Sequence, residues 1–178
     1  IARERGVAVD EAGFEQAVAR HQSVSRGEGA GAADTAMAGR YRDLRLPATA
    51  FAGYETTSGS TCVVAILDGG ERVRRASQGE ELEVVLERTP FYGAAGGQVG
   101  DTGVLVGPHG RFAVHDTARP IPDLLVHVGQ VVEGYIEEGQ EVRAEVDAER
   151  RADIANNHTA THLLHRALRE VLGEHAQQ

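Results

Sequence analysis

GQVVEGYIEEGQEVRAEVD, residues 129–147, decides how the chain folds. In EVRAEV, Val142, Ala144 and Val146 fall on one side and Glu141, Arg143 and Glu145 on the other, the period-two pattern of a strand with one buried face. Gly134 and Gly139 punctuate the stretch, so it reads as barrel-closing strands joined by tight glycine turns. Upstream, STCVVAIL (60–67), ELEVVLERT (81–89), VGDTGVLVG (99–107), RFAVHD (111–116) and DLLVHVG (123–129) are further short strand candidates. DGG, QGE, GPHG and EEGQ break them. Strands at this spacing with no helix between them predict a small antiparallel barrel or sandwich. The expected class is therefore mainly β with flanking helices.

Downstream of Val146 the period changes. DAERRADIANNHTATHLLHRALREVLG, 147–173, predicts a long helix with Asp147 as N-cap and Gly173 as its stop. Upstream of the strands, VDEAGFEQAVARHQ (9–22) predicts another helix, capped by Asp10, and the Gly/Ala-rich 25–39 reads as a linker. The expected organisation is a helical segment and linker over 1–40, a β-barrel over 41–146, and a helical stretch over 147–178.

Among 178 residues, aromatics make up 4% and tryptophan is absent, so the core has to be built from Val, Leu, Ile and Ala. The net charge of −9 is the reverse of a free-standing nucleic-acid binder, so any RNA contact has to be local or supplied by another domain. A single cysteine, Cys62, excludes an internal disulfide framework and fits a reducing compartment. No apolar run is long enough to span a bilayer. The chain begins at Ile1 and ends at Gln178 just past a helix, so it is expected to be a piece of something longer.

Three stretches carry candidate chemistry. His158 and His162 stand four apart on a helix, which brings both imidazoles to one face, within reach of a shared cation. Thr159 stands where a zinc protease of the HExxH type has its glutamate, and two ligands do not complete a zinc site. The same pair also suits a solvated polar face that His165 extends. RTPFYGAAGGQVGDTG, 88–103, joins an aromatic pair, Phe91 and Tyr92, to Gly96, Gly97 and Gln98. Such a loop lets backbone approach a ligand closely, or simply turns between two strands. GEHAQQ, 173–178, brings polar groups including Gln178 behind the helix, or frays. Arg150, Arg151 and Arg166 suit either phosphate contact or a solvated helix face.

Taken together, these stretches resemble the alanyl-tRNA synthetase family. TPFY…GGQVGDTG is similar to its FYxxxGGQxGD signature, and NNHTATHLLHRALREVLGEHAQQ to its NHxATHLLHxALRxxLGxHxxQ opening of the editing domain. VDEAGFE and VRAEVDAERR resemble the segments before the barrel and before the editing helix. Ala94 departs from the pattern, because the family usually has an acidic residue there.

The resemblance implies a barrel of the translation-factor type followed by the first helix of an α+β editing domain. It implies an ATP- and Mg-dependent alanine–tRNA ligase, with the aminoacylation site before residue 1. This region would belong to the module that hydrolyses mischarged Ser- or Gly-tRNA(Ala). Zinc would take His158 and His162 plus a downstream Cys-xxx-His, which this chain lacks, leaving an incomplete site and an inactive fragment. Ligating imidazoles have to be neutral, so metal affinity should fall in acid. Thr161 and Gln178 become candidate catalytic or substrate-orienting groups, and Gly96, Gly97 and Gln98 a substrate-binding loop. For Thr161, a hydroxyl bonded back to its own turn is equally open. Expected partners are tRNA(Ala) and, through regions outside this chain, other copies of the enzyme. Neither a membrane nor DNA is expected, and the expected location is cytoplasmic. A different class of function is a non-catalytic barrel that positions tRNA or spaces domains. A stand-alone editing protein is a third, against which the 1–22 match argues.

Overall fold

Residues 38–94 and 98–173 are described by the computed structural model. Contacts divide the chain into two compact units, Ile1–Arg40 and Tyr41–Gln178. The helix predicted over 9–22 and residues 25–37 of the linker lie outside the described residues.

The second unit runs β1 (Ala50–Phe51), β2 (Ser58–Asp68), β3 (Glu71–Val73), β4 (Arg75–Ser77), β5 (Glu81–Leu86), β6 (Arg88–Thr89), β7 (Gly103–Val106), β8 (Gly110–Ile121), β9 (Leu124–Glu137), β10 (Glu141–Val146) and α1 (Ala148–Leu172). Six strands close on themselves in the order β2, β5, β9, β8, β7, β10 and back to β2, every neighbour antiparallel. The closing rung pairs Glu141 with Cys62 and runs on to Glu145 with Ser58. Closure, not a sandwich, is thus how this sheet removes its edges. The predicted alternation holds in β10, where Val142, Ala144 and Val146 are buried and Glu141 and Arg143 exposed. All four predicted breaks are turns between strands.

Gly134 differs from its expected role. It does not end a strand but lies inside the 14-residue β9, with φ +63°, opposite Gly110. A Cβ there would run into the His109 carbonyl. Sequence marks a glycine at positive φ in the same way whether it sits in a turn or in a bulge. Here the partner strand decides, and the register shift between Arg111 and Phe112 bends β8 and β9 together.

Two clusters explain why some strands alternate and others read as continuous apolar runs. Inside the barrel, Ile66, Val84, Leu86, Phe91, Phe112 and Ile136 pack as one core. On the outside, Ala65, Leu67, Val85, Leu124 and Val126 are covered by Tyr41, Leu44 and Leu46. VVAIL, VVL and LLV are apolar throughout because both of their faces are buried.

Asp147 caps α1 by accepting from the Arg150 amide at 3.0 Å, and Gly173, at φ 101°, ends it. Beyond the first turn α1 stands largely in solvent, with Leu163, Leu164, Leu168 and Val171 exposed. No described helix is long and apolar enough to cross a membrane.

Candidate functional site

The site is built where the 88–103 loop meets the root of α1. Phe91 points into the barrel and is fully buried, while Tyr92 is half-buried. Asp101 doubles back on this pair. Its amide donates to the Tyr92 carbonyl at 3.0 Å, and its carboxylate accepts from the Tyr92 amide at 2.6 Å. Thr117 Oγ1 donates to the Asp101 carbonyl at 2.9 Å. The buried carboxylate is neutralised by Arg151, through Nη2 and, at 3.1 Å, through Nε.

Arg151 also gathers the chain around it. Nη1 donates to the Gly53 carbonyl at 3.3 Å and Nη2 to the Pro90 carbonyl at 2.5 Å. Arg150 Nη1 donates to the Gly100 carbonyl at 2.8 Å, and the Asp147 amide to the Thr102 carbonyl at 2.8 Å. The first turn of α1 is therefore bolted to both ends of the loop. Arg150 and Arg151 spend their donors on backbone and Asp101, and Arg166 pairs with Glu170 one turn on at 3.0 Å. The sequence offered no spacing signal for the Arg151–Asp101 pair, which joins residues 50 apart.

Helix geometry sets the direction of the two histidines. Arg151, His158 and His162 are separated by seven and eleven residues. At 100° per residue that leaves both histidines within about 20° of the Arg151 direction, with His158 about 10 Å further along the axis. The histidines thus leave α1 on the same face as Arg151. Their Nε2 atoms approach to 2.9 Å, with ring centroids 4.6 Å apart and planes at 72°. Both rings are exposed.

A tetrahedral zinc with bonds of about 2.0–2.1 Å holds its ligand atoms about 3.3 Å apart, so the pair opens only slightly to take one. The donor chemistry fits half of a zinc site. No group of three or more His, Cys, Asp or Glu able to hold a metal exists among the described residues, and Cys62 lies in β2.

The other candidates occupy different settings. Thr161 Oγ1 donates to the Asn157 carbonyl at 2.9 Å, the bond back to its own helix. Gln98 is half-buried at an isolated bridge. Gly96, Gly97 and Gln178 lie outside the described residues.

His127, which the sequence did not single out, is fully buried beneath the loop. Val84 O can only accept, so Nδ1, 2.9 Å away, carries the proton. Nε2 then accepts from Thr89 Oγ1 at 2.7 Å, and that hydroxyl also accepts from the Phe91 amide. Burial pushes the imidazole down to about 4, against a smaller upward pull from the Val84 carbonyl. Phe91 packs edge-on to this ring at 5.1 Å. His127 is a structural group that orients the start of the loop.

The chain is 51% identical over 182 residues to the alanine–tRNA ligase of Chloroflexus aurantiacus, a match covering 100% of this chain and 20% of that protein. Against the alanine–tRNA ligase of Roseiflexus castenholzii it is 49% identical over 181 residues, and against that of Myxococcus xanthus 47% over 184, with the same coverage. The chain spans about a fifth of the length of the curated relatives it matches. The family tRNA synthetases class II (A) matches residues 1–150, and the chain belongs to that family.

Proposed function

We propose that the chain is a section of an alanine–tRNA ligase, an ATP- and Mg-dependent enzyme acting on tRNA(Ala) in the cytoplasm. Within it, this section contributes the barrel and the opening helix of the module that hydrolyses mischarged Ser- or Gly-tRNA(Ala). On this reading residues 1–40 end the preceding helical region, 41–146 are the barrel and 147–178 open the editing domain. The ATP site and the contacts for self-association fall outside the chain. One relationship carries the proposal. The His158 and His162 Nε2 atoms lie 2.9 Å apart on the helix face that also carries Arg151, whose guanidinium pairs with Asp101 of the 88–103 loop.

The physical problem is discrimination. A pocket that accepts alanine cannot exclude glycine by size and rejects an added hydroxyl only weakly, so a second, hydrolytic site is needed. Zinc, when bound, supplies Lewis-acid polarisation of an ester carbonyl or a water of lowered pKa. His158 and His162 would hold it as neutral donors, and a downstream Cys-xxx-His would complete the set. The loop backbone approaches the aminoacyl ester, and Gln178 offers a polar group to orient it. Thr161 has its proton committed to Asn157, which leaves its oxygen as an acceptor toward substrate.

The test is deacylation of Ser-tRNA(Ala) by the longer enzyme that carries this chain. His158→Ala and His162→Ala should abolish deacylation while alanylation persists. Equal hydrolysis by variant and parent would end the zinc-centred account.

A further inference from the structure

Beside the loop, the barrel carries a concave feature that the His158–His162 reading leaves unassigned. A cavity of about 300 Å³ is lined by Phe51, Tyr54, Tyr92, Arg119, Asp123 and Leu125, among others. Its three rings form a chain of edge contacts. Tyr54 meets Phe51 at 5.0 Å and 83°, and Phe51 meets Tyr92 at 6.2 Å and 73°. In an edge-on pair the partner covers one face of one ring only. Tyr54 is 90% exposed, so the ring is not there to stabilise the core. Glycines let the walls of this cavity pack closely. A Cβ at Gly53 would run into the Phe51 ring and the Pro90 carbonyl, and one at Gly93 into Leu125.

The polar groups are set for a ligand. Arg119 Nε donates to the Pro122 carbonyl at 2.6 Å, which anchors the guanidinium. Its Nη groups make no other hydrogen bond among the described residues, nor does the Asp123 carboxylate. Open aromatic faces, one anchored cation and one carboxylate acceptor match a base, a phosphate and a ribose hydroxyl.

We infer that this cavity is a subsite for an unpaired nucleotide of an RNA strand. The base stacks on Tyr54 and meets Phe51 edge to face, the phosphate pairs with Arg119, and a ribose hydroxyl donates to Asp123. The inference rests on the reading that tRNA is the substrate. It also fits an acidic chain, because stacking supplies the affinity and a single phosphate contact is enough. Binding should therefore depend on salt with a log–log slope near −0.7, that of one contact on a single strand.

The intact 178-residue chain is titrated with AMP, dAMP, adenosine, ribose 5-phosphate and a single-stranded RNA trinucleotide, followed by amide NMR. Shifts are expected at residues 48–54, 92–93 and 119–125. AMP should bind at least tenfold more tightly than ribose 5-phosphate and more tightly than dAMP, and the trinucleotide at least as tightly as AMP. Tyr54→Ala should weaken AMP about tenfold with the rest of the spectrum unchanged. Arg119→Gln should bring AMP down to the affinity of adenosine. Shifts elsewhere, equal binding of ribose 5-phosphate, or an unchanged Tyr54→Ala titration would overturn the subsite. AMP binding without trinucleotide binding would overturn its assignment to RNA. The readout involves no ester, so failure here leaves the His158–His162 reading standing, and failure of deacylation leaves this titration unaffected.

Discussion

Arg151 reaches from the first turn of α1 to the carboxylate of Asp101, which is 4% exposed in its side chain, and closes the 88–103 loop against the helix. Breaking a buried pair strands the surviving charge. Arg151 is itself 21% exposed, so water relieves part of that penalty. Asp101→Ala should cost about 2–4 kcal/mol, toward the lower side of the range for fully buried pairs. Arg151→Ala should cost a similar amount, because it also releases the Gly53 and Pro90 carbonyls. Urea denaturation of both singles and the double checks this. Additive losses would show that the two residues do not act as a pair.

Phe91 and Tyr92 should separate cleanly. Phe91 is fully buried in the barrel core and packs on His127, so Phe91→Ala should lose about 3–5 kcal/mol. Tyr92 lines the cavity and is half-buried, so Tyr92→Ala should cost about 1–2 kcal/mol by lost burial. Thermal melts compare them, and equal losses would contradict the opposed placement of the two rings.

His127 sets a pH dependence with a definite sign. Its folded value of about 4 lies below the ordinary 6.5. Between these values the unfolded chain binds a proton that the folded chain refuses, so this contribution to stability is complete above pH 6.5 and lost as pH falls toward 4. The loss should total about 3 kcal/mol, at about 1.4 kcal/mol per pH unit. His127→Gln should be less stable at neutral pH and should lack this slope between pH 4.5 and 6.5. Parallel slopes for both proteins would rule His127 out as the source.

Zinc should bind the 178-residue chain poorly. Two imidazoles are half of a tetrahedral set, so affinity should fall at least about a thousandfold short of a four-ligand site. His158→Ala should remove what binding there is. Calorimetry at neutral pH decides, and a tight one-to-one complex would mean that other groups complete the site.

Much of the fold could be read directly from residue order. Strand alternation in EVRAEV, the four turns and both ends of α1 depend on neighbours close in sequence, where periodicity and capping act. Gly134 could not be assigned this way, because turn and bulge use the same backbone freedom. The double-faced burial of VVAIL and LLV depended on Tyr41, Leu44 and Leu46, some twenty to eighty residues away. The His158–His162 contact was legible because one helical turn separates the pair. The Asp101 clamp, the His127 bonds and the Phe51–Tyr54–Tyr92 cavity were not, since each joins segments that meet only when the barrel closes.

Sequence alone determined the local conformations, the family likeness and the spacing of the two imidazoles, because these arise from backbone geometry within a few residues. Only the tertiary structure decided which way those imidazoles face. That direction is set by Arg151, whose charge finds Asp101 across fifty residues of chain because a carboxylate so deeply buried requires a cation.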